Sequence, residues 1–229
     1  MKKKLVVLSG PSCVGKGPLR HAVKRYHPEI TLAELVLCTS RRPRLKSDTK
    51  TYEVHGIDFY FFPRSMFGQL DLSRFIVADV RSDAQAIDIM QVRELLQAYD
   101  IVLIEVFHAL GRALTDRVKS QPDLDFDIRS VFLTPLSEFE IQNMTEAGNK
   151  TSEQIVYEVM KAKLERRGED PAHRIEERAR SAFHEMQAAS YYTDAIVNHA
   201  GEDDRKEWSD PLGKEAQRVL DEFIIILKS

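Results

Sequence analysis

Gly10-Pro11-Ser12-Cys13-Val14-Gly15-Lys16 sets two glycines and a lysine at the spacing G-x-x-x-x-G-K, directly after the apolar run Leu5-Val6-Val7-Leu8. After a buried strand and before a helix, this spacing builds an anion cradle. Glycines adopt backbone angles that side chains forbid, successive N–H groups turn into the loop, and the helix N-terminus adds partial positive charge. Gly10, Ser12, Cys13, Val14, Gly15, Lys16 and Gly17 are therefore the candidate residues for holding the phosphates of a nucleotide. Lys16 is placed to reach the β- and γ-phosphates, which makes it the first catalytic candidate. Gly17 stands where the pattern expects a Ser or Thr hydroxyl for magnesium, and Pro18 has neither hydroxyl nor N–H. One donor to the α-phosphate is missing, and a charge-assisted hydrogen bond is worth about 1.5–3 kcal/mol, so binding is expected to weaken without disappearing. No residue is assigned as a direct metal ligand. Cys13, beside an anion site and a helix N-terminus, is expected to have a lowered pKa.

The loop needs elements to hold it. Short apolar runs recur at Phe75-Ile76-Val77, Ile101-Val102-Leu103-Ile104, Val131-Phe132-Leu133 and Ala195-Ile196-Val197, with helix-like segments between most of them. Such alternation predicts an α/β chain with a parallel sheet, and a helix from about Gly15. Residues 41–50 carry five basic residues and one acidic, and the aromatic stretch Tyr52 to Phe62 beyond them predicts a small strand-rich excursion. Residues 142–161 are polar and helix-compatible with a break at Gly148-Asn149. Beyond Gly168 and Pro171, Ile175, Ala179, Ala182, Phe183 and Met186 keep helical spacing, which puts Arg174 and Arg178 together on the opposite face. Leu212 to Leu227 predicts a closing amphipathic helix, with Trp208 anchoring its start.

Composition narrows the function classes. The 229 residues are 43% hydrophobic and 30% charged, enough apolar matter for a core, and they predict one domain with inserted subdomains. Lys plus Arg number 33 against 36 Asp plus Glu, a net charge of −3, so no nucleic-acid or membrane partner is expected. Cys13 and Cys38 are too few for a disulfide framework or a four-ligand zinc site, and a reducing cytoplasmic location fits. The apolar run after Met1-Lys2-Lys3-Lys4 is too short for a signal segment, and no stretch approaches a membrane span.

The chain resembles the guanylate kinase family of nucleoside monophosphate kinases in ordered landmarks along nearly its whole length. Ser9 to Gly17 looks like the family's phosphate loop, and Thr39-Ser40-Arg41-Arg42-Pro43-Arg44 is similar to its Thr-Thr-Arg-x-Pro-Arg motif. Gly56-Ile57-Asp58-Phe59-Tyr60-Phe61 looks like its Gly-x-x-Tyr-x-Phe stretch, Arg167-Gly168 and Arg178 resemble its lid arginines, and Val197-Asn198 its late strand. The resemblance implies a P-loop three-layer α/β/α fold with a parallel central sheet, a strand-rich acceptor-binding subdomain and a helical lid. Within a single domain over 1–229, the core would take 1–36, 98–139 and 190–229, the acceptor-binding subdomain about 37–97, and the lid about 140–189. It also implies ATP and Mg2+, with phosphoryl transfer to a small phosphorylated acceptor, GMP by default. Arg41 and Arg44 would grip the acceptor phosphate through guanidinium forks, and Arg167 and Arg178 would stabilise charge on the polyphosphate. Asn198 would belong to the nucleotide site. Glu105, at the end of the run Ile101 to Ile104, would contact the acceptor or orient magnesium through water. His108 is expected to be packed or exposed.

The acceptor side departs from the family pattern. Val77 stands where a Glu reads guanine, Leu37 replaces a Ser, and Asp83 to Asp88 replaces a Tyr-Gly-Ser/Thr turn. Phe59 takes the place of a phosphate-binding Tyr, with Tyr60 adjacent as its substitute. Between Arg44 and Gly56 the chain is about six residues longer than the family pattern, and Asp79, Arg81, Asp83 and Gln85 are placed to read a different acceptor. Each guanine donor left facing valine costs about 1–3 kcal/mol. Two alternatives therefore stand beside the nucleotide kinase: a kinase of another phosphorylated small molecule such as a phosphosugar, and a non-catalytic binding module. The oligomeric state, monomer or homodimer, is open.

Overall fold

A computed structural model describes residues 3–45, 51–121 and 126–229. The chain divides into two compact units, Met1–Val7 with Thr31–Arg129 and Leu8–Ile30 with Ser130–Ser229. The elements run in the order β1 (Lys4–Ser9), α1 (Lys16–Tyr26), β2 (Leu32–Glu34), β3 (Cys38–Thr39), β4 (Tyr60–Phe61), α2 (Arg64–Phe67), β5 (Phe75–Val80), β6 (Asp83–Asp88) and α3 (Ile89–Ala98). They continue with β7 (Ile101–Glu105), α4 (His108–Ser120), β8 (Asp127–Thr134), α5 (Glu138–Gly148), α6 (Ser152–Arg167), α7 (Ala172–Gln187), a 3-10 turn (Ala188–Tyr191), β9 (Asp194–Val197) and α8 (Lys214–Lys228). The result is the expected mixed α/β chain with a parallel central sheet.

In the first unit that sheet runs β2-β7-β1, with Ala33 opposite Val102 in parallel register. Leu5, Val6 and Val7 of β1 and Val102 and Ile104 of β7 are wholly inaccessible, as a strand covered on both faces requires. The same unit carries a four-stranded sheet in the order β4-β3-β6-β5. Phe75-Ile76-Val77, grouped by its sequence with the parallel runs, belongs instead to this second sheet, where β5 pairs antiparallel with β6. The reason is the connection: Val80 faces Asp83 across a turn of Arg81 and Ser82, and a two-residue link can join only antiparallel strands. Arg81 takes positive φ (56°) in that turn, a cost glycine would avoid. The predicted excursion at Tyr52 to Phe62 shrinks to β4 and isolated bridges between Leu45 and Tyr52 and between His55 and Phe59.

In the second unit β8 and β9 pair parallel, Leu133 opposite Ile196, and α8 packs on β9 and α1. The break at Gly148-Asn149 is present: α5 ends on Asn149 in the left-handed region (φ 47°). Both α5 and α6 start on capping boxes, Ser137 with Glu140 and Thr151 with Gln154, each satisfying two otherwise unpaired backbone N–H groups. The closing helix is present as α8, but Trp208 does not anchor its start. Glu207 does, its carboxylate accepting from the Glu215 and Ala216 amides at 2.9 and 3.1 Å. Among the described residues no helix is long and apolar enough to cross a membrane.

Candidate functional site

The loop after β1 has the backbone its sequence calls for. Gly10, Cys13 and Gly15 all take positive φ, at 144°, 68° and 91°. Gly15 forms the N-cap of α1, so the amides of Lys16 and Gly17 open the helix with no acidic residue in its first turn. The conformation is held by close packing as well as by torsion. A Cβ at Gly10 would meet the Leu133 carbonyl oxygen at 2.3 Å, and one at Gly15 would meet Asn198 Nδ2 at 2.3 Å. Gly201 comes nearer still, where a Cβ would stand 1.9 Å from the Cys13 carbonyl oxygen.

Lys16 is 8% exposed, and its Nζ donates to the Gly10 and Pro11 carbonyls at 3.0 and 2.7 Å. The ammonium is thus poised over the loop, where a polyphosphate tail would take those carbonyls' place. Ser12 and Gly17 are half-buried at the rim. Asn198 has a different place from the one expected of a ligand-binding residue. It is fully buried, donating from Nδ2 to the Val14 carbonyl at 2.7 Å and accepting at Oδ1 from the Ala200 amide at 3.1 Å. Its amide braces the loop from beneath.

Cys13 also departs from expectation. Its side chain is turned inward, 1% exposed, with Sγ 3.7 Å from the Lys163 carbonyl oxygen and 3.8 Å from Asp203 Oδ1. Burial, reinforced by the negative charge of Glu202, pushes the thiol up to about 12. The helix N-terminus does not win because the sulfur faces carboxylates and has left water. Beneath it, Lys163 Nζ lies 3.3 Å from Asp203 Oδ1 and Arg166 Nη2 lies 2.8 Å from Asp203 Oδ2.

Arg167 and Arg178 converge on one carboxylate. Asp170 bridges them: its Oδ2 stands 3.0 Å from Arg178 Nη1 and also accepts from Arg167 Nη2. Arg167 further meets Glu169 at 3.4 Å and Glu202 at 3.9 Å. Helical spacing alone puts Arg178 with Arg174 on an outer face; Arg174 is exposed, but the Arg178 side chain is only 10% exposed because Asp170 draws it in.

In the first unit Arg41 is 11% exposed and clasped by Glu53, Nη1 to Oε2 at 2.5 Å and Nη2 to Oε1 at 2.7 Å. The same carboxylate accepts from the Arg44 amide at 2.8 Å. Burial works against ionisation of Glu53, but the Arg41 fork and the Arg44 amide outweigh it and hold the carboxyl below its usual range. Phe59 and Phe61 flank the guanidinium, their ring centres 4.5 and 5.6 Å from its carbon. Tyr60 is not brought to this group. Strand alternation sends it to the other side of β4, stacked on Phe62, in the wall of a cavity of about 390 Å3 with Phe75, Arg74 and Asp88. Val77 packs on the same apolar cluster, against Cys38, Ala84 and Ala86. Glu105 closes β7 half-buried, and His108 begins α4 against the Phe107 ring. Lys46 and Lys50 of the basic stretch lie outside the described residues.

Glu53, Asp170 and Asp203 belong to no motif, yet each organises a candidate cation or a residue of the loop. Glu53 carries a faint sequence signal, an acid just past a basic stretch. Asp203 carries none, since its partners Lys163 and Arg166 are remote in the chain.

The expected magnesium finds no cage: no group of three His, Cys, Asp or Glu among the described residues is arranged to hold a metal ion. Gly17 supplies no hydroxyl, and a Cβ built there meets nothing within 4 Å. The loop itself fits a polyphosphate, and a magnesium ion would have to arrive on it, keeping waters as that ion prefers.

No family model matches the chain. It is 28% identical over 197 residues to a guanylate kinase of Nostoc sp., covering 85% of this chain and 82% of that protein. Against a guanylate kinase of Streptomyces coelicolor it is 27% identical over 208 residues, covering 90% and 88%. A Listeria monocytogenes guanylate kinase gives 29% over 196 residues, covering 85% and 80%. Among solved structures, guanylate kinase from Anaplasma phagocytophilum superposes with a TM-score of 0.60 at 17% identity, covering 99% of this chain and 85% of that one.

Proposed function

The chain belongs to the guanylate kinase family, and from that premise we propose that it moves the γ-phosphoryl group of ATP onto the phosphate of a nucleoside monophosphate, GMP first among the acceptors. A phosphate oxygen of the acceptor attacks the γ-phosphorus, the bond to the β-phosphate oxygen breaks, and ADP leaves. Little covalent chemistry falls to the protein; it positions the two anions and stabilises their charge. The observation that carries this reading is the loop with positive φ at Gly10, Cys13 and Gly15 and Lys16 Nζ held at its centre.

Lys16 takes the β- and γ-phosphates, and Arg167 and Arg178 leave Asp170 for the transferring group, whose charge competes with that carboxylate for the same forks. Arg41 and Arg44 receive the acceptor phosphate, residues 37–97 serving as the acceptor-binding subdomain and 140–189 as the lid. Magnesium comes with ATP. A cytosolic setting is part of the proposal, supported by the free thiols of Cys13 and Cys38.

A second reading, another phosphorylated acceptor, draws support from Val77. Its side chain packs against Cys38, Ala84 and Ala86 and offers no acceptor to guanine's N–H groups. A coupled ADP-release screen over GMP, AMP, CMP, UMP and a panel of phosphosugars separates the two. Turnover highest with GMP supports the first, and turnover confined to a phosphosugar supports the second. No ADP release with any acceptor, together with no thermal shift at millimolar ATP, would leave a binding module.

A further inference from the structure

Strand β4 has a different environment on each side. Phe59 and Phe61 turn to the Arg41 guanidinium, whereas Tyr60 and Phe62 turn the opposite way, into the cavity of about 390 Å3. The two sides share no lining residue. In the cavity the Tyr60 and Phe62 rings lie nearly parallel, 6.4 Å between centres, and Phe75, half-buried, faces in from β5. Cys38 of β3 and Phe67 of α2, both buried, complete an apolar wall.

The polar wall comes from one helix face. Asp88, Gln91 and Glu94 stand at i, i+3 and i+6 along the start of α3, and all three line the cavity. Asp88 is already served, accepting from Arg74 Nε and Nη2 at 3.0 and 2.6 Å and from the Met90 amide at 2.9 Å. Gln91 is not. Its Oε1 is buried and accepts no hydrogen bond among the described residues. A buried acceptor without a donor is costly, and an N–H brought in by a ligand would relieve it.

Charge then selects the ligand. The lining holds two carboxylates against one guanidinium, and Asp88 occupies that guanidinium, so an anion entering here meets repulsion and a cation attraction. Aromatic rings also favour an ammonium group at their faces. The volume lies near the lower end of small-molecule sites, roughly 300–1,000 Å3, which suits a one- or two-ring molecule with a short tail.

We infer that this cavity binds a small aromatic amine, its ring among Tyr60, Phe62 and Phe75 and its ammonium group donating to Gln91 Oε1 and the Glu94 carboxylate. The inference does not rest on the kinase reading. It concerns the side of β4 turned away from Arg41, and its ligand carries the opposite charge to a phosphate.

The test titrates the full-length protein by calorimetry with tryptamine, indole, indole-3-propionate and adenine. Saturable binding of tryptamine is expected, with indole and adenine at least about fivefold weaker and no binding of the carboxylate. Gln91→Leu should weaken tryptamine roughly tenfold and Glu94→Gln roughly threefold, while both leave indole within about twofold. No saturable tryptamine binding up to about 10 mM overturns the site, as does unchanged tryptamine affinity in both variants. Binding of adenine or indole-3-propionate as tight as that of tryptamine overturns the assigned ligand class. Should Gln91→Leu not fold, Glu94→Gln at its exposed position decides: weakened tryptamine supports the site, and unchanged tryptamine overturns it. The thermal shift with ATP reads the phosphate loop separately, so neither result is mistaken for the other.

Discussion

Asp170 Oδ2 stands 3.0 Å from Arg178 Nη1 while also accepting from Arg167, so one carboxylate holds both candidate lid arginines. All three side chains are about nine-tenths buried, at 10% to 11% exposure. Removing the shared charge strands two guanidinium groups, and breaking such a pair from one side is more damaging than its formation is favourable. Asp170→Asn should lose about 2–4 kcal/mol in urea denaturation, with Glu169 and Glu202 sparing Arg167 from the full effect. Saturating ATP should restore part of that loss; an unchanged midpoint without ATP would show the bridge to be idle.

Lys16→Ala tests the chemistry. Its Nζ bonds the loop carbonyls of Gly10 and Pro11, so the fold should survive with a stability change of about 1–2 kcal/mol. Turnover should fall at least about a hundredfold, the scale for losing one preorganised charge donor. Circular dichroism and a coupled ADP assay read the two effects separately.

Gly15→Ala is expected to be the most damaging loop substitution. Its methyl group would fall 2.3 Å from Asn198 Nδ2, at φ 91°, and must break the Asn198 brace on Val14. A melting temperature lower by several degrees, with loss of ATP-induced stabilisation, is the predicted pair of results.

Cys13 should resist alkylation in the native state at pH 8. Burial holds its pKa at about 12, while the unfolded thiol ionises near 9. Because the folded value is raised, this group's contribution to stability is complete below pH 9 and is lost as pH rises from 9 towards 12. Mass spectrometry after iodoacetamide, with and without denaturant, checks it; rapid native labelling would refute the buried geometry.

Glu215 contributes to the acid limb of stability. The Arg218 hydrogen bond, helped by the His199 amide, depresses its carboxyl from 4.5 to about 2. A depressed folded pKa gives stability that is full above about pH 4.5 and fades as pH falls towards 2. With solvent screening of this partly exposed group taken into account, Glu215→Gln should remove on the order of 2 kcal/mol at neutral pH. It should also flatten the decline of stability below about pH 4.5, seen in urea midpoints across the acid range.

The sequence makes legible what it decides locally. The run Leu5 to Leu8, the glycines at 10 and 15 and the lysine after them fix a strand, a turn and a helix start within a short segment. The break at Asn149 is equally local. Phe75 to Val77 reads as a parallel strand because nothing in its apolar run reports the antiparallel turn at Arg81-Ser82, which lacks the expected glycine. Periodicity puts Arg178 on an open face because it describes a helix in isolation, and Asp170 lies outside that helix. Tyr60 reads as a substitute for Phe59, although strand alternation alone separates the two onto opposite sides. Asn198 and Cys13 do lie beside the loop, but whether each turns towards ligand or core depends on Gly201 and Asp203, which only the folded chain brings near.

The room at Gly17 has one more implication. Since a Cβ there would collide with nothing, the position tolerates serine sterically, and a hydroxymethyl group could be added without rebuilding the neighbourhood. The missing hydroxyl is thus a choice the scaffold does not impose. In the proposed nucleotide site, a hydroxyl added there would offer an oxygen ligand to a magnesium ion carried in on ATP.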